Sequence, residues 1–253
     1  MHRAEPRQRR PRNRLVRLLA GLFVAAAVAG AAEAREAVDL ELVLLADASG
    51  SIDTAEIMFQ RQGYAAALNH PRVLNAIAGG FLRRIAVVYV EWGDAASQEV
   101  VVPWTVIDGP ESAAAFAAAL LAKPRLASGR NAIGSAIAFA HALIRANEID
   151  GTRRIIDISA DSANSWGGVP IFDARALALA DGITINGLAI LCRGECGGRP
   201  VLYDVERAFA ETIVGGPGSF VITADGGDRF AEGVRRKLIL EIADLGRRHR
   251  GRM

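Results

Sequence analysis

Two cysteines, four histidines and an aromatic share of 6% leave a 253-residue chain little material for thiol, imidazole or ring-stacking chemistry. The cysteines, Cys192 and Cys196, stand close together, so no disulfide framework organises the whole chain. The uncharged run at residues 18–32 is fifteen long, short of the ~20 that a spanning helix needs. Charge of one sign is also missing, since the formal net charge is only +2. Seven arginines crowd residues 1–34 against Glu5 and Glu33. Without that segment Lys+Arg falls from 30 to 23 and Asp+Glu from 28 to 26, a balance of −3. The basic excess that is left sits in a tail at residues 246–253. No broad cationic face results, which speaks against nucleic acid as a partner. What is abundant is apolar: 51% hydrophobic residues, above the ~45–50% of ordinary globular chains and incompatible with a disordered protein.

The N-terminal segment reads as an address. Arginine-rich residues 1–17 lead into the apolar run, and Ala32-Glu33-Ala34 offers small residues where a signal peptidase reads. A signal peptide over 1–34 implies a periplasmic or secreted protein starting near Arg35. Membrane contact would then come only through this segment, if uncleaved. Arg9-Arg10 hints at twin-arginine export, but Pro11 and Arg12 follow where that signal wants other residues. In an oxidising compartment Cys192 and Cys196, with Gly194 between them, are expected to close a small disulfide loop. Metal binding is the rival reading, with only two ligands and no histidine nearby.

Along the rest, strand-like and helix-like patterns alternate. Apolar runs at 38–46, 85–92, 155–159 and 183–191 read as strands, with a further one at 219–223. Residues 99–107 read as an edge or bent strand because of Pro103. Helical patterns cover 54–68, 111–121, 132–145, 172–180, 203–213 and 230–243. Alternation of this kind predicts an α/β fold with a mainly parallel central sheet and helices on both faces. One domain over 38–245 accounts for it, followed by the basic tail.

Ligands of open α/β sheets bind at the carboxyl ends of strands, and two acids fall at such ends. Asp47-Ala48-Ser49-Gly50-Ser51 follows the first long strand, and Asp161 with Ser162 follows the strand at 155–159. Between them runs the polar loop Ser128-Gly129-Arg130-Asn131. Together they offer carboxylates, hydroxyls and an amide, an oxygen set suited to a hard cation. Residues 47, 49 and 51 alternate, so an extended segment points their side chains to one side.

This ordered set resembles the von Willebrand factor type A domain, and the chain is similar to a bacterial family of exported proteins of that kind. The resemblance implies a Rossmann-like sheet wrapped by helices. It also implies a metal-ion-dependent adhesion site with Asp47, Ser49, Ser51, Asn131 and Asp161 as ligands for Mg²⁺, or for Mn²⁺ or Ca²⁺. Such a site engages an acidic group on a protein partner. Two positions depart from the family pattern: Asn131 stands where a threonine is expected, and Ser162 where glycine often follows the acid. Arg130 adds a positive charge beside the cation.

The same residues also carry plainer readings. Asp47, Ser49 and Gly50 are ordinary turn formers, Asp53 with Glu56 forms a capping box, and Asn131 caps the following helix. Trp166, in a polar loop, is either an exposed anchor for a partner or folded back onto the domain. A metal-free scaffold and a metal-dependent hydrolase are the alternatives to metal-dependent binding. Against the hydrolase, residues 47–51 lack the second acid of the aspartyl-phosphate phosphatases. No nucleophile elbow or phosphate-binding loop is present, and no histidine has an evident partner.

Overall fold

The computed structural model describes residues 35–191, 202–225 and 229–243. Cys192 and Cys196, the segment 1–34 and the tail 246–253 lie outside the described residues. In chain order the elements are β1 (Glu36–Val38), β2 (Leu40–Asp47), α1 (Thr54–Leu68), α2 (Pro71–Ala78), β3 (Ile85–Trp92), β4 (Gln98–Ile107), α3 (Pro110–Ala122), α4 (Ile133–Ala146), β5 (Ile149–Gly151), β6 (Arg154–Ala160), α5 (Ile171–Ala180), β7 (Thr184–Leu191), α6 (Val205–Thr212), β8 (Val221–Asp225) and α7 (Arg229–Ala243).

Six strands form one sheet in the order β4-β3-β2-β6-β7-β8. Every pair is parallel except β3 with the edge strand β4. Strands β2 and β3 are buried at every position, as near-continuous apolar runs must be when helices cover both faces. On one face α1, α2, α3 and α7 pack through residues such as Tyr64, Ile77, Phe116 and Leu238. On the other, α4, α5 and α6 pack through Ile137, Ala140, Ala178 and Phe209. Small residues let α4 lie close to the sheet: Ala136 and Ala140 are fully buried there.

Pro103 acts as its position suggests. Val87 faces Thr105 while Tyr89 faces Val102, so the ladder skips across Pro103 and Trp104 at an irregularity on the sheet edge. Three elements were not foreseen. Helix α2 starts on Pro71, with the His70 ring nitrogen Nδ1 accepting from Arg72 N at 3.1 Å; a proline at the first helical position begins a helix rather than breaking one. Strands β1 and β5 pair in parallel as a separate two-stranded sheet. Buried Glu41 on β2 serves it, accepting from Gly151 N at 2.9 Å and from Asn147 Nδ2 at 2.7 Å. Strand β8 begins two residues later than its pattern suggested.

Candidate functional site

Strand order reverses between β2 and β6. The chain leaves β2 for α1 on one face and leaves β6 for α5 on the other. A crevice opens where neighbouring strands send their connections to opposite sides. Asp47 is the last residue of β2, and Asp161 directly follows Ala160, the last residue of β6. The two acids therefore meet at one rim.

The first loop is tightly determined. Asp47 is buried; its Oδ1 accepts from Ser49 N at 2.7 Å, while Oδ2 is enclosed with no hydrogen-bond partner among the described residues. The Ser49 and Ser51 hydroxyls lie 3.3 Å apart, so the alternating positions do share a side. Ala48 N donates to Trp92 O at 2.8 Å and Gly50 N to Gly129 O at 2.7 Å, which ties this loop to β3 and to the second loop. Asp53 caps α1 with Glu56 in a reciprocal box, leaving Ser51 free of that duty.

Arg125 does what no motif announced. Its guanidinium donates to Ala48 O at 2.6 Å, Ser49 O at 3.2 Å, Ile52 O at 2.9 Å and Ala127 O at 2.9 Å. Three of those carbonyls belong to the first loop, so Arg125 fastens its backbone. Backbone acceptors leave no trace in sequence spacing, which is why this residue escaped a reading based on motifs.

The second loop corrects an expectation. Asn131 does not cap α4, whose cap position is Ala132 with no side-chain hydrogen bond. Instead Asn131 Nδ2 donates to Ser162 Oγ at 2.8 Å, and its Oδ1 is buried without a partner among the described residues. The third loop closes over it through Trp166 N, which donates to Asn131 O at 2.6 Å. Gly134 in the first turn of α4 permits this approach, because a Cβ there would sit 2.0 Å from Val169 O.

Electrostatics at the rim favour a positive charge. Burial pushes the Asp47 carboxyl up to about 7, and the charge of Asp161 adds to the rise while Ser49 opposes it. Burial likewise raises Asp161, with hydrogen bonding from Ser51 and Ser162 in opposition. Two carboxyls raised by burial, with the charge of Asp161 adding to the rise at Asp47, are relieved by a cation. The donors fit a hard one: Asp47 Oδ2 and Asn131 Oδ1 are buried acceptors with unspent lone pairs, beside two hydroxyls and a second carboxylate. Among the described residues no group of three or more His, Cys, Asp or Glu is placed to hold a metal ion, so hydroxyl and amide oxygens would carry the rest of this set.

Above these groups opens a shallow pocket of about 270 Å³, whose wall includes Ser49, Ser51, Asn131, Ser162, Arg130 and Trp166. Trp166 does not fold back onto the domain; it is 56% exposed, with the Arg130 guanidinium 5.0 Å from its ring centroid. A larger cleft of about 370 Å³ borders Thr152, Arg154, Asn186, Phe220 and Glu241. It shares no residue with the rim where the sequence-predicted groups meet. The histidines contribute nothing to the pocket wall. His141 does gain a partner the sequence concealed, with Nε2 lying 2.7 Å from Asp181 Oδ2, and Arg145 Nη1 is 2.9 Å from the same oxygen.

Comparison with solved structures shows the fold to be of the von Willebrand factor type A kind. Proximal thread matrix protein 1 from the mussel byssus aligns at 17% identity and a TM-score of 0.55, over 84% of this chain and 49% of that one. A second structure of the mussel protein, with a zinc-occupied MIDAS motif, aligns at 18% identity and 0.55 over the same shares. BatB, a conserved hypothetical protein from Bacteroides thetaiotaomicron, aligns at 16% identity and 0.52, over 82% of this chain and 99% of that one. The pilus adhesin SpaC from Lactobacillus rhamnosus GG aligns at 14% identity and 0.54, over 83% and 31%. This chain thus spans about half the length of the mussel protein and about a third of the adhesin. A search of curated proteins returns no match. The sequence pattern of one family runs from residue 37 to residue 246, most of the chain, and the protein belongs to that family, described as "Protein of unknown function (DUF1194)".

Proposed function

We propose that this protein is an exported binding domain whose loops 47–51, 128–131 and 161–166 hold a divalent cation and through it engage an acidic group on a protein partner. One observation carries the reading: Asp47 Oδ2 and Asn131 Oδ1, buried acceptors from two different loops, are both left without partners beside the Ser49–Ser51 hydroxyl pair. Unpaired buried acceptors cost stability, and two of them at a topological switch point mark a place kept for a ligand. Asp47, Ser49, Ser51, Asn131 and Asp161 would hold Mg²⁺, Mn²⁺ or Ca²⁺. When bound, the ion supplies a Lewis-acidic point for a carboxylate oxygen. Asn131 substitutes for the family's threonine because an amide oxygen is also a hard ligand. Its Nδ2 bond to Ser162 keeps the oxygen end as the free one.

Two of the similar structures, a pilus adhesin and a byssus matrix protein with a zinc-occupied MIDAS motif, support binding as the role. The address-like pattern of residues 1–34 supports a periplasmic or secreted domain over residues 38–245. A metal-free scaffold is the second reading, favoured by Arg130 on the pocket wall. Calorimetric titration of the purified protein with Mg²⁺, Mn²⁺ and Ca²⁺ separates the two. Saturable heat that disappears in Asp47→Ala is the expected result. Absence of heat, with no metal-dependent rise in melting temperature, would overturn the metal reading and leave the scaffold.

A further inference from the structure

Arg130 and Trp166 stand outside the proposed ligand set, yet both line the pocket that opens above it. The indole is a built feature of the rim. Trp166 N is held by Asn131 O at 2.6 Å, and the chain turns away through Gly167 and Gly168, with φ of +73° and +68°. Gly168 is wedged so closely that a Cβ would lie 2.1 Å from Ser135 Oγ, and Val169 N donates to that hydroxyl at 3.1 Å. Such a turn favours glycine at its second position, and the backbone bond from Trp166 N to Asn131 O keeps the residue that bears the indole at the rim.

Over this ring sits the Arg130 guanidinium, 5.0 Å from the centroid. Its side chain makes no hydrogen bond or ion pair with the described residues, although Asp47 and Asp161 lie at the same rim. The indole attracts the guanidinium through its ring face, and Arg130 is exposed, with its N–H donors unspent on the described residues. An edge-presented guanidinium pairs with carboxylates through two parallel hydrogen bonds. A cation beside a pocket proposed to take a carboxylate is complementary to more than one negative charge.

We infer that Arg130, shelved on Trp166, is a specificity-determining contact that reads a second acidic side chain on the partner, so that the segment recognised carries two carboxylates rather than one. The inference rests on the reading of the site as a place for an acidic group. The metal and the shelf are nonetheless separable in experiment.

The test uses the purified protein in Mg²⁺ buffer at low salt. The probes are two capped glycine-based tetrapeptides, one bearing a single glutamate and the other two glutamates separated by one glycine. Binding is followed through the indole N–H signals in ¹H–¹⁵N spectra. The two-glutamate peptide should bind on the order of tenfold more tightly. Arg130→Gln should erase that preference while leaving single-glutamate affinity and Mn²⁺ affinity undiminished. Arg72→Gln, an exposed charge on α2, controls for net charge and should keep the preference. Equal affinity of the two peptides, binding of neither, or a preference that survives Arg130→Gln would overturn the shelf. Failure of the metal reading shows separately, as no Mn²⁺ uptake by the unmodified protein. In that case the same comparison in metal-free buffer decides the shelf.

Discussion

Asp47 sets binding against stability. Its carboxyl titrates near 7 in the folded state against an ordinary value of 3.8, because it is buried and faces Asp161. The fold therefore holds a proton that the unfolded chain has already released. The stability this contributes is complete below about 3.8 and is lost as pH rises through 7. In metal-free buffer at pH 8, Asp47→Asn should be the more stable protein by on the order of 3 kcal/mol. The advantage should vanish near pH 4, and saturable metal heat should be lost throughout. Thermal melts of both proteins at the two pH values check this; equal melting at pH 8 would mean that the buried charge costs nothing. At this scale the placement of Asp47, Ser49, Ser51 and Asp161 at one rim was legible, because polar residues directly after a strand are a pattern written in side chains. The bond from Asn131 to Ser162 spans 31 residues, and local spacing offered only a helix cap in its place.

Elements at the rim are joined by two arginines working in series. Helix α3 ends at Ala122, and Pro124 prevents its continuation. Buried Arg61 on α1 pairs with Glu91 on β3 at 2.7 Å and donates to Lys123 O and to Pro124 O, which sets the start of the following loop. One residue later Arg125 reaches from that loop to the carbonyls of Ala48, Ser49 and Ile52. Arg125→Met keeps much of the side chain's apolar length and removes every donor. It should weaken divalent-cation binding roughly 10- to 100-fold, as loss of an outer-shell support does in metal sites, and lower the melting temperature by a few degrees. Arg125→Lys should recover part of the affinity. Calorimetry beside thermal melts measures both, and an unchanged affinity in Arg125→Met would mean that the first loop holds itself. Long elements were legible at this scale: α1 and β3 occupy the residues their patterns marked, and Pro103 lies on an edge strand. The three-residue strands β1 and β5 were not, since no periodicity can be read over so short a span. Helix α2 was missed where Pro71 opens it.

For the molecule as a whole, alternation of strand and helix disclosed the α/β class, but the order β4-β3-β2-β6-β7-β8 was not in the local pattern. Strand order records which strands share hydrogen bonds, and several apolar strands are interchangeable in that respect. One consequence is a buried ionic cluster that the sequence scatters over 85 positions. Lys237 on α7 pairs with Asp157 on β6 and, at 2.8 Å, with Glu241, while Asn186 Nδ2 donates to the same Glu241 oxygen at 2.9 Å. Burial pushes the ammonium down, but Asp157 and Glu241 outweigh it and hold Lys237 above its usual range. Burial raises Asp157 to about 7 even with Lys237 opposing. The cluster joins α7 to the sheet and shares no residue with the proposed cation ligands. Lys237→Met leaves two buried acids without their cation, a loss of about 3–5 kcal/mol and roughly 10 °C in a domain of this size. An acid with a raised folded-state value contributes stability below its unfolded value and loses it as pH rises, so the deficit should be largest near pH 8 and smaller near pH 5. Melting curves at both pH values, with Mn²⁺ titration well below the transition, test the separation of the two regions. Cation affinity should match the unmodified protein; if it falls with the melting temperature, α7 and the rim are coupled and the site cannot be understood from its own loops alone.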